Sequence, residues 1–459
     1  MANADVLVVG GGPAGLSAAI AAAREGVDTI LLERYGCYGG NITQSMVGTI
    51  AWYRYAKTID AGGIIREFEH RAKRMNGTIN NFNKNIIKTE IGKFLEKKGL
   101  LVDGFPTYEI LDTELFKIIA DNLIQEAGVT PILHCQAVDA IMDGNTIIGI
   151  ITESKSGRQA IMAKRVIDAT GDADIAYHAG APFRKEEKDK VMGVSVNFGC
   201  SGIDIEKFIT FLLEKMQNKS NFIPYLKQSG ELFFMDDFTC FLEPLNKVNK
   251  EDNIPEKIPI KKIWKDYVDL GIINSFNGIH ISGIDCTDVF DLTKAEIEGR
   301  RRLIKLLKSL RRRTPGFENA RIKNIGSSLG TRESRKIISE YIITEHDVKN
   351  QARFEDSIGV CPEFLDAYGF AIIPTTGRYF HVPYGIILPK KVENLLVAGR
   401  CVAGDKISHA ATRQMVCCIT TGQGAGVAAA VSVKENTSCR KVDILKIQKS
   451  LLHQGVRIE

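Results

Sequence analysis

The chain has 459 residues, of which 44% are hydrophobic and 25% charged, and its formal net charge is +5. This composition is typical of a globular protein with a large core, and so small a positive excess does not by itself indicate nucleic acid binding. No apolar run approaches the roughly 18 residues of a membrane-spanning helix, and the start lacks the basic region of a secretory signal. We therefore expect a cytoplasmic protein without a membrane span.

The chain contains ten cysteines, and no pair has the C-x-x-C spacing of zinc sites, iron–sulfur clusters or redox disulfides. In a long cytosolic chain such thiols are expected to be reduced and mostly to fill the core. The sequence therefore predicts no metal site and disfavours a disulfide reductase.

The first 33 residues predict one βαβ unit. Residues 5–9 (DVLVV) are an apolar strand, a glycine turn and an Ala-rich helix follow, and residues 29–32 (TILL) form a second strand. In the turn, Gly10 permits a tight bend, Gly12 lets a pyrophosphate approach the backbone, and Gly15 lets helix and strand pack closely. The helix amino terminus would bind the phosphates, and Glu33 would accept hydrogen bonds from the adenosine ribose.

The next elements continue an α/β pattern. The sequence predicts a helix over residues 112–127 with a glycine cap at Gly128, and strands over 130–152 that turn at residues 143–145. Residues 165–171 read as a buried strand that ends at a glycine. After a lysine-rich region with a proline- and charge-rich loop around 244–262, the capping box at Thr293 and Glu296 predicts the start of a basic helix that runs to Arg313.

Residues 303, 304, 306, 307 and 310 give this basic helix an apolar face opposite a cationic one. The cationic face is either simply solvated or binds RNA. Beyond it, residues 394–399 predict a returning strand, and residues 412–431 predict a long helix of small residues.

The strand ends at 168–172 and 395–400 carry small residues that would let the backbone run along a cofactor longer than NAD, as FAD is. The fold class that follows is α/β: a Rossmann-type FAD-binding domain with an inserted α+β substrate or cap domain. We assign residues 1–183 to the first part of the FAD-binding domain, 184–375 to the insertion and 376–435 to the closing part. Residues 436–459 would be a C-terminal tail.

Several motifs carry a resemblance to a known family. The glycine turn with Glu33, residues 166–174 (VIDATGDAD), 330–335 (GTRESR), 382–385 (VPYG), 394–400 (NLLVAGR) and 410–413 (AATR) resemble the FAD-dependent oxidoreductase family with the glutathione-reductase-like fold. The resemblance implies FAD and is nearly silent on the substrate. The cofactor-binding residues that we predict are Gly10, Gly12, Pro13, Ala14, Gly15, Glu33, Arg34, Gly39, Gly40, Asn41, Ala137, Val138, Ala169, Thr170, Gly171, Gly399, Arg400, Ala411 and Thr412.

In this family the segment at Gly39, Gly40 and Asn41 would line the flavin ring. A helix starting near Ala411 and Thr412 would point its amino terminus at the flavin N1 and C2=O edge, where a helix dipole stabilises negative charge. Because residues 35–45 contain no histidine, we expect non-covalent FAD.

Candidates for the chemistry are polar residues near these segments. His381 is the first choice for proton transfer and His409 the second, with Tyr384 and Arg332 beside them; each histidine could equally be a satisfied structural residue. Arg332, Arg335, Arg378 and Arg413 could bind a substrate carboxylate, or Arg332 and Arg335 could pair with Glu333, Glu340 or backbone carbonyls.

We therefore predict an FAD-dependent oxidoreductase that transfers a hydride between flavin N5 and a small organic, carboxylated metabolite. The alternative is an FAD-dependent RNA-modifying or RNA-binding flavoprotein, and a non-catalytic FAD-binding regulator is a third reading. The electron partner stays open among NAD(P)H, a quinone, another flavoprotein and oxygen. A homo-oligomer is also left open.

Overall fold

The structure is a computed structural model that describes residues 2–50, 54–55, 59–75, 77–80, 109–204, 207–208, 211, 233–234, 273–367, 370–372 and 378–459. The loop predicted around 244–262 and the predicted domain limit at 375 lie outside these residues. The described helices are α1 (Pro13–Arg24), α2 (Gly63–Arg74), α3 (Thr113–Glu126), α4 (Asp174–His178), α5 (Val289–Arg313), α6 (Glu345–Lys349), α7 (His409–Thr412), α8 (Met415–Lys434) and α9 (Ile444–His453).

The described strands are β1 (Ala2–Val9), β2 (Thr29–Leu32), β3 (Thr49–Ile50), β4 (Arg54–Tyr55), β5 (Ile59–Asp60), β6 (Thr78–Asn80), β7 (Glu109–Leu111), β8 (Thr130–Ile132), β9 (Gln136–Asp143), β10 (Thr146–Ser154), β11 (Gly157–Asp168), β12 (Phe183–Arg184), β13 (Val194–Ser201), β14 (Phe233–Phe234), β15 (Ile273–Ile281), β16 (Arg321–Ile325), β17 (Lys336–Ile337), β18 (Ser357–Pro362), β19 (Leu365–Ala367), β20 (Phe370–Ile372), β21 (Tyr379–Pro383) and β22 (Leu395–Val397).

The largest sheet runs in the order β8-β2-β1-β11-β10-β9, and β22 pairs with β11. The pairs β8–β2, β2–β1, β1–β11 and β11–β22 are parallel, whereas β9, β10 and the first half of β11 are antiparallel. Parallel strands bring their carboxyl ends, with the turns that follow them, to one edge of the sheet. The segments predicted to bind the cofactor follow β1, β2, β11 and β22, so they meet at that edge.

Helices α1 and α8 pack unusually closely on this sheet. A Cβ atom added at Gly422 would lie 2.1 Å from the Ala14 carbonyl oxygen, and one at Gly426 would lie 2.1 Å from the Ala18 carbonyl oxygen. Helix α8 therefore needs glycine at these two positions to approach α1. It has the length and apolarity of a membrane-spanning helix, with a mean hydropathy of 1.5 over its most apolar window, yet 94% of that window is buried inside the protein.

The large sheet and helices α1 and α8 form the first hydrophobic core. A second hydrophobic core lies beside it. Its members come from β13, β15 and α5, with Phe317, Ala320 and Leu329 behind them, so it spans residues 194–329. Buried residues between 337 and 365 instead join the first core. The second core is thus narrower than the predicted insertion of 184–375, because the chain returns to the first core soon after residue 329.

The start of the basic helix differs from the prediction. The basic helix begins after Asp288, which caps α5, while the Thr293 hydroxyl donates to the Val289 carbonyl inside the helix. The capping box at 293 is therefore wrong as a start signal, because an aspartate one turn earlier already caps the helix. The segment 436–459, predicted as a C-terminal tail, contains α9, which packs on α8, and its Val456 forms a β-bridge with Gly62.

Candidate functional site

The glycine turn between β1 and α1 has the geometry of a phosphate-binding turn. Helix α1 begins after Gly12 without a side-chain cap, so no side chain competes for the amides of its first turn. Cβ atoms at Gly10 and Gly15 would lie 2.6 Å from the Ala169 carbonyl oxygen and 1.7 Å from the Gly10 carbonyl oxygen. A Cβ at Gly12 would meet only the Gly40 Cα, at 3.8 Å. Two glycines therefore serve close packing, and Gly12 borders free space.

Glu33 stands at the end of β2 with a fixed carboxylate. Its Oε2 accepts a hydrogen bond from the Gly11 amide at 2.6 Å, and its Oε1 accepts one from the Tyr35 amide at 3.0 Å. Each oxygen keeps a second lone pair, which could accept from a ribose hydroxyl. Arg34 follows with its guanidinium 4.8 Å from the centre of the Tyr35 ring. The carboxylate is thus oriented by two backbone amides before any ligand arrives.

The segment 39–41 connects the glycine turn to the second core. The Gly39 amide donates to the Gly11 carbonyl at 2.8 Å, and a Cβ at Gly40 would lie 2.8 Å from the Gly12 Cα. On the other side, the Asn41 amide nitrogen donates to the Thr331 carbonyl at 3.0 Å. These three residues therefore lie at the junction of the two cores. The flavin ring of an FAD molecule whose pyrophosphate is bound at the glycine turn would extend to this junction.

The ends of β11 and β22 meet the start of α1. A Cβ at Gly171 would lie 2.6 Å from Arg400 Nη2, and one at Gly399 would lie 3.0 Å from the Ala14 Cβ. The structure thus brings together four of the predicted cofactor residues. Ala169 and Thr170 belong to the same turn, and Arg400 Nη1 is buried without a hydrogen-bond partner in the described part of the chain. An unpaired buried donor of this kind fits an anionic ligand.

Asp168, the last residue of β11, holds the shape of this turn. It accepts hydrogen bonds from the amide and hydroxyl of Thr170 and from the Ala176 amide. Burial raises its pKa to about 6, although these hydrogen bonds favour the ionised form.

Ala137 and Val138 lie near the start of β9, and just before them the Cys135 amide donates to the Glu33 carbonyl at 3.1 Å. This contact ties the start of β9 to the ribose end of the site.

The helix predicted to start near residues 411–412 is split. Ala411 and Thr412 belong to the four-residue helix α7, and the long helix α8 begins only at Met415. The break occurs because Gln414 takes an extended conformation with ψ at 148° and offers no side-chain cap. The uncapped amides of the long helix therefore start at Met415, three residues later than the sequence predicted.

Arg332, His409 and Arg413 form one cluster at the seam between the cores. Arg332 donates to the Gly193 carbonyl at 2.7 Å, and burial, together with the positive charge of Arg413, lowers its pKa to about 10. Arg413 contacts the carbonyl and carboxylate of Asp366. His409 is 1% exposed, and its Nε2 lies 3.1 Å from the Arg332 carbonyl oxygen. Two predicted arginines and one predicted histidine thus meet.

The protonation state of His409 follows from its surroundings. Burial, with the nearby ammonium of Lys336, lowers its pKa to about 3, so the ring is neutral at pH 7. A carbonyl can only accept, so Nε2 must carry the hydrogen. Nδ1 is then an acceptor, and it is buried without a partner among the described residues.

A buried ion pair beneath this cluster was not foreseen from the sequence. Lys336 Nζ lies 2.6 Å from Glu333 Oε1, and the two side chains are 3% and 0% exposed. Burial is the largest single influence and acts to raise the pKa of Glu333, but Lys336, His409 and the hydrogen bond from the Met192 amide together outweigh it, so the pKa lies below its usual value. Asp172 is a second missed residue, because it accepts from Ser334 at 2.6 Å and pairs with Arg400 at 3.1 Å. The spacing of 330–335 gave no hint of which side chain would turn inward.

The other predicted residues have contacts elsewhere. Arg335 pairs with Asp174 at 2.9 Å, and Arg378 pairs with Glu363. His381 Nδ1 accepts from the Phe354 amide at 3.2 Å, and the Tyr384 hydroxyl donates to the Cys439 carbonyl at 2.7 Å. In each of these contacts the partner lies outside the cluster of Arg332, His409 and Arg413. Glu340, a partner that the sequence suggested for the arginines, pairs with Arg440.

One protein family and several known proteins are similar in sequence to this chain. The family model described as FAD dependent oxidoreductase matches residues 5–451. Digeranylgeranylglycerophospholipid reductase 2 of Methanopyrus kandleri is 29% identical over 208 residues, which are 45% of this chain and 47% of that protein. The tRNA uridine 5-carboxymethylaminomethyl modification enzyme of Dichelobacter nodosus is 29% identical over 153 residues, 33% of this chain and 22% of that protein. The alignments span about half or less of these relatives.

Among solved structures, a geranylgeranyl bacteriochlorophyll reductase-like protein from Thermoplasma acidophilum aligns over 100% of this chain and 85% of its own. Its sequence identity is 15% and its TM-score 0.46.

Proposed function

The chain belongs to the family of FAD-dependent oxidoreductases, and from this premise we propose that it transfers a hydride between flavin N5 and a small carboxylated metabolite. FAD, when bound, supplies a two-electron donor or acceptor at N5. The glycine turn, Glu33, the segment 39–41 and the turn after β22 would hold it, without a covalent link. This assignment of residues fits the uncapped amides of α1 and the unpaired Arg400 Nη1.

The observation that carries the substrate class is the cluster of Arg332, Arg413 and His409. The positive charge of Arg413 lowers the pKa of Arg332, and the carboxylate of Asp366, which contacts Arg413, only partly offsets this repulsion. Arg413 Nε is buried without a partner among the described residues. A substrate carboxylate would accept hydrogen bonds from both arginines and relieve the repulsion.

His409 would orient a second group of the substrate. Its neutral ring keeps the hydrogen on Nε2, bound to the Arg332 carbonyl, and leaves the Nδ1 lone pair for a donor. A substrate hydroxyl or amine next to the carboxylate would supply that donor. Because a pKa of about 3 makes Nδ1 a weak base, we propose that His409 positions the substrate by accepting a hydrogen bond.

His381 and Tyr384 stay predictions as proton-transfer groups. The Tyr384 hydroxyl already donates to a backbone carbonyl, and burial holds its pKa well above the usual value. A proton-transfer role for Tyr384 would require that hydrogen bond to break. The contacts of the described residues therefore favour His409 over Tyr384 as a group that accepts a hydrogen bond from the substrate.

The test begins with the cofactor. Absorbance bands at about 370 and 450 nm that pass into the supernatant after heat precipitation would establish non-covalent FAD. Bands that stay with the pellet would overturn the non-covalent assignment. A colourless protein that takes up no FAD would contradict the family-based cofactor assignment itself.

The substrate class is then tested by anaerobic bleaching of the flavin with matched pairs of carboxylates and their amides. We expect bleaching by carboxylates only. Arg332→Met and Arg413→Met should raise the apparent dissociation constant roughly 100-fold, since each removes a charged hydrogen-bond donor. Arg300→Met, on the exposed face of α5, is the matched control. Equal bleaching by amides would overturn the proposal.

The alternative of an RNA-modifying flavoprotein draws on the relative named for tRNA modification and on the basic face of α5. It is decided by the same variants. Salt-dependent RNA binding that requires the arginines of α5, with no carboxylate bleaching, would favour it.

A further inference from the structure

Helix α5 has two unlike faces. Its inner face packs on the β15-β13-β16 sheet through Leu303, Leu306 and Leu310, and a Cβ at Gly299 would lie 2.3 Å from Val196 Cγ2. The opposite face of the same sheet points to residues 39–45, which we call the cofactor segment because it begins with the predicted flavin-lining residues. On that face the Asn197 side-chain amide donates to the Ser45 carbonyl at 2.7 Å. The outer face of α5 is therefore on the side of this sheet away from the cofactor segment.

Large apolar side chains lie along the outer face. Phe290, Ile297 and Ile304 are 81%, 44% and 47% exposed. Ile304, which the sequence pattern predicted on the buried apolar face, is instead exposed. Each of these residues follows the previous one by seven positions, which is close to two helical turns, so they form one line of about 20 Å. We call this line the outer stripe.

Basic side chains flank the outer stripe. They are exposed and lie within about 80° of it around the helix axis: Lys294, Arg301, Lys305, Lys308 and Arg312. The acidic residues of the helix are engaged, because Glu296 pairs with Arg300 and Glu298 with Arg302. Among the described residues the structure gives Arg301, Lys305, Lys308 and Arg312 no ion-pair partner.

A straight line of bulky apolar groups bordered by cations suits a flat surface that is anionic outside and apolar beneath. We propose that the outer stripe of α5 docks the protein on the surface of an anionic lipid bilayer. The aromatic and aliphatic side chains would enter the headgroup boundary, and the lysines and arginines would meet lipid phosphates. This inference is independent of the proposed substrate.

Other occupants fit less well. A second copy of the chain would bring the same positive charges face to face, which is unfavourable. An RNA backbone would satisfy the cations but would leave Phe290, Ile297 and Ile304 in water. Only an anionic surface with an apolar layer serves both parts of the face.

The experiment is cosedimentation of the flavin-loaded protein with vesicles. Phosphatidylcholine vesicles are compared with vesicles of equal parts phosphatidylcholine and phosphatidylglycerol. We expect at least roughly tenfold stronger binding to the anionic vesicles, weakened by salt. Binding that is equal for both vesicle types, or absent from both, would overturn the proposal.

Variants then locate the surface. Phe290→Ser, Ile297→Ser and Ile304→Ser combined should reduce binding roughly tenfold or more with flavin content unchanged. The matched control is Leu445→Ser with Leu452→Ser on α9, whose side chains are 68% and 56% exposed. A second variant, Lys305→Gln with Lys308→Gln, should weaken binding and its salt dependence. Unchanged vesicle binding by the triple variant, or binding of a tRNA pool in place of vesicles, would refute the docking surface.

Discussion

Helices α8 and α5 show how poorly composition alone locates a helix. Helix α8 is the more apolar and would pass for a membrane span, yet it lies inside the first core, where Gly422 and Gly426 fit it against α1. Helix α5 is rich in arginine and lysine, yet it exposes Phe290, Ile297 and Ile304. What separates them is not hydropathy but the arrangement of side chains around each axis.

The same contrast appears in their charges. Near His409 on α7, the pair of Lys336 and Glu333 is fully enclosed, whereas the pairs on α5 are partly exposed to water. A buried pair is costly to break because one charge is left without water or partner. A hydrated pair contributes little.

The largest expected effect tests this difference. Lys336→Met should lower the free energy of unfolding by about 3 kcal/mol or more, because Glu333 stays buried without its partner. Arg300→Met on α5 should change it by less than about 0.5 kcal/mol. Urea denaturation of both variants at pH 7 measures the two values. Similar losses would show that burial does not distinguish the pairs.

The second prediction concerns the glycines of the two helices. Gly422→Ala should cost about 3 kcal/mol, since the new Cβ meets a backbone carbonyl that cannot move unless α1 and α8 separate. It should also weaken FAD binding, because α1 carries the glycine turn. Gly299→Ala should cost about 1 kcal/mol, since its new Cβ meets a side-chain methyl group of Val196. Denaturation with a parallel measurement of flavin content checks this order, and a reversed order would contradict it.

The third prediction uses the buried histidine that precedes α8. The pKa of His409 falls from 6.5 to about 3 on folding. Between these two pH values the unfolded chain therefore binds a proton that the folded chain does not. The contribution of neutral His409 to the free energy of unfolding is fully present above about pH 6.5 and is lost as the pH falls toward 3. Wild type should lose about 2 kcal/mol more than His409→Asn between pH 7 and pH 5. Parallel stability curves for the two proteins would refute this.

The smallest effect is expected on the outer stripe. Ile304→Ser should change the free energy of unfolding by less than about 0.5 kcal/mol, because about half of the residue is already exposed to solvent. Its buried neighbour, Leu303→Ala, should cost about 3 kcal/mol. Denaturation of both separates the faces of α5. A large loss for Ile304→Ser would mean that this side chain supports the fold.

The cofactor turn was predictable from sequence because each glycine has a local reason. Gly10 has φ of +98°, and Gly15 leaves no room for a Cβ. Both constraints act between residues close in sequence or between a turn and its own strand. The hairpin at residues 143–145 and the helix capped by Asp112 were predictable for the same reason.

The substrate side was much less predictable. Four arginines looked equivalent in sequence, yet Arg335 and Arg378 pair with acidic residues outside the cluster. Arg332 and Arg413 come together, although Arg413 also contacts Asp366. Likewise, the sequence ranked His381 ahead of His409 for proton transfer and placed Tyr384 beside them. Their neighbours come from residues far apart along the chain, which no local pattern encodes.

The sequence by itself therefore determined the α/β class, the order of the cofactor segments and the family, because those depend on backbone conformation and short-range spacing. Only the tertiary structure decided where α8 starts, which side chains meet at the seam and which face of α5 is exposed. These depend on which distant surfaces pack together, and packing of the whole chain sets burial, charge pairing and pKa.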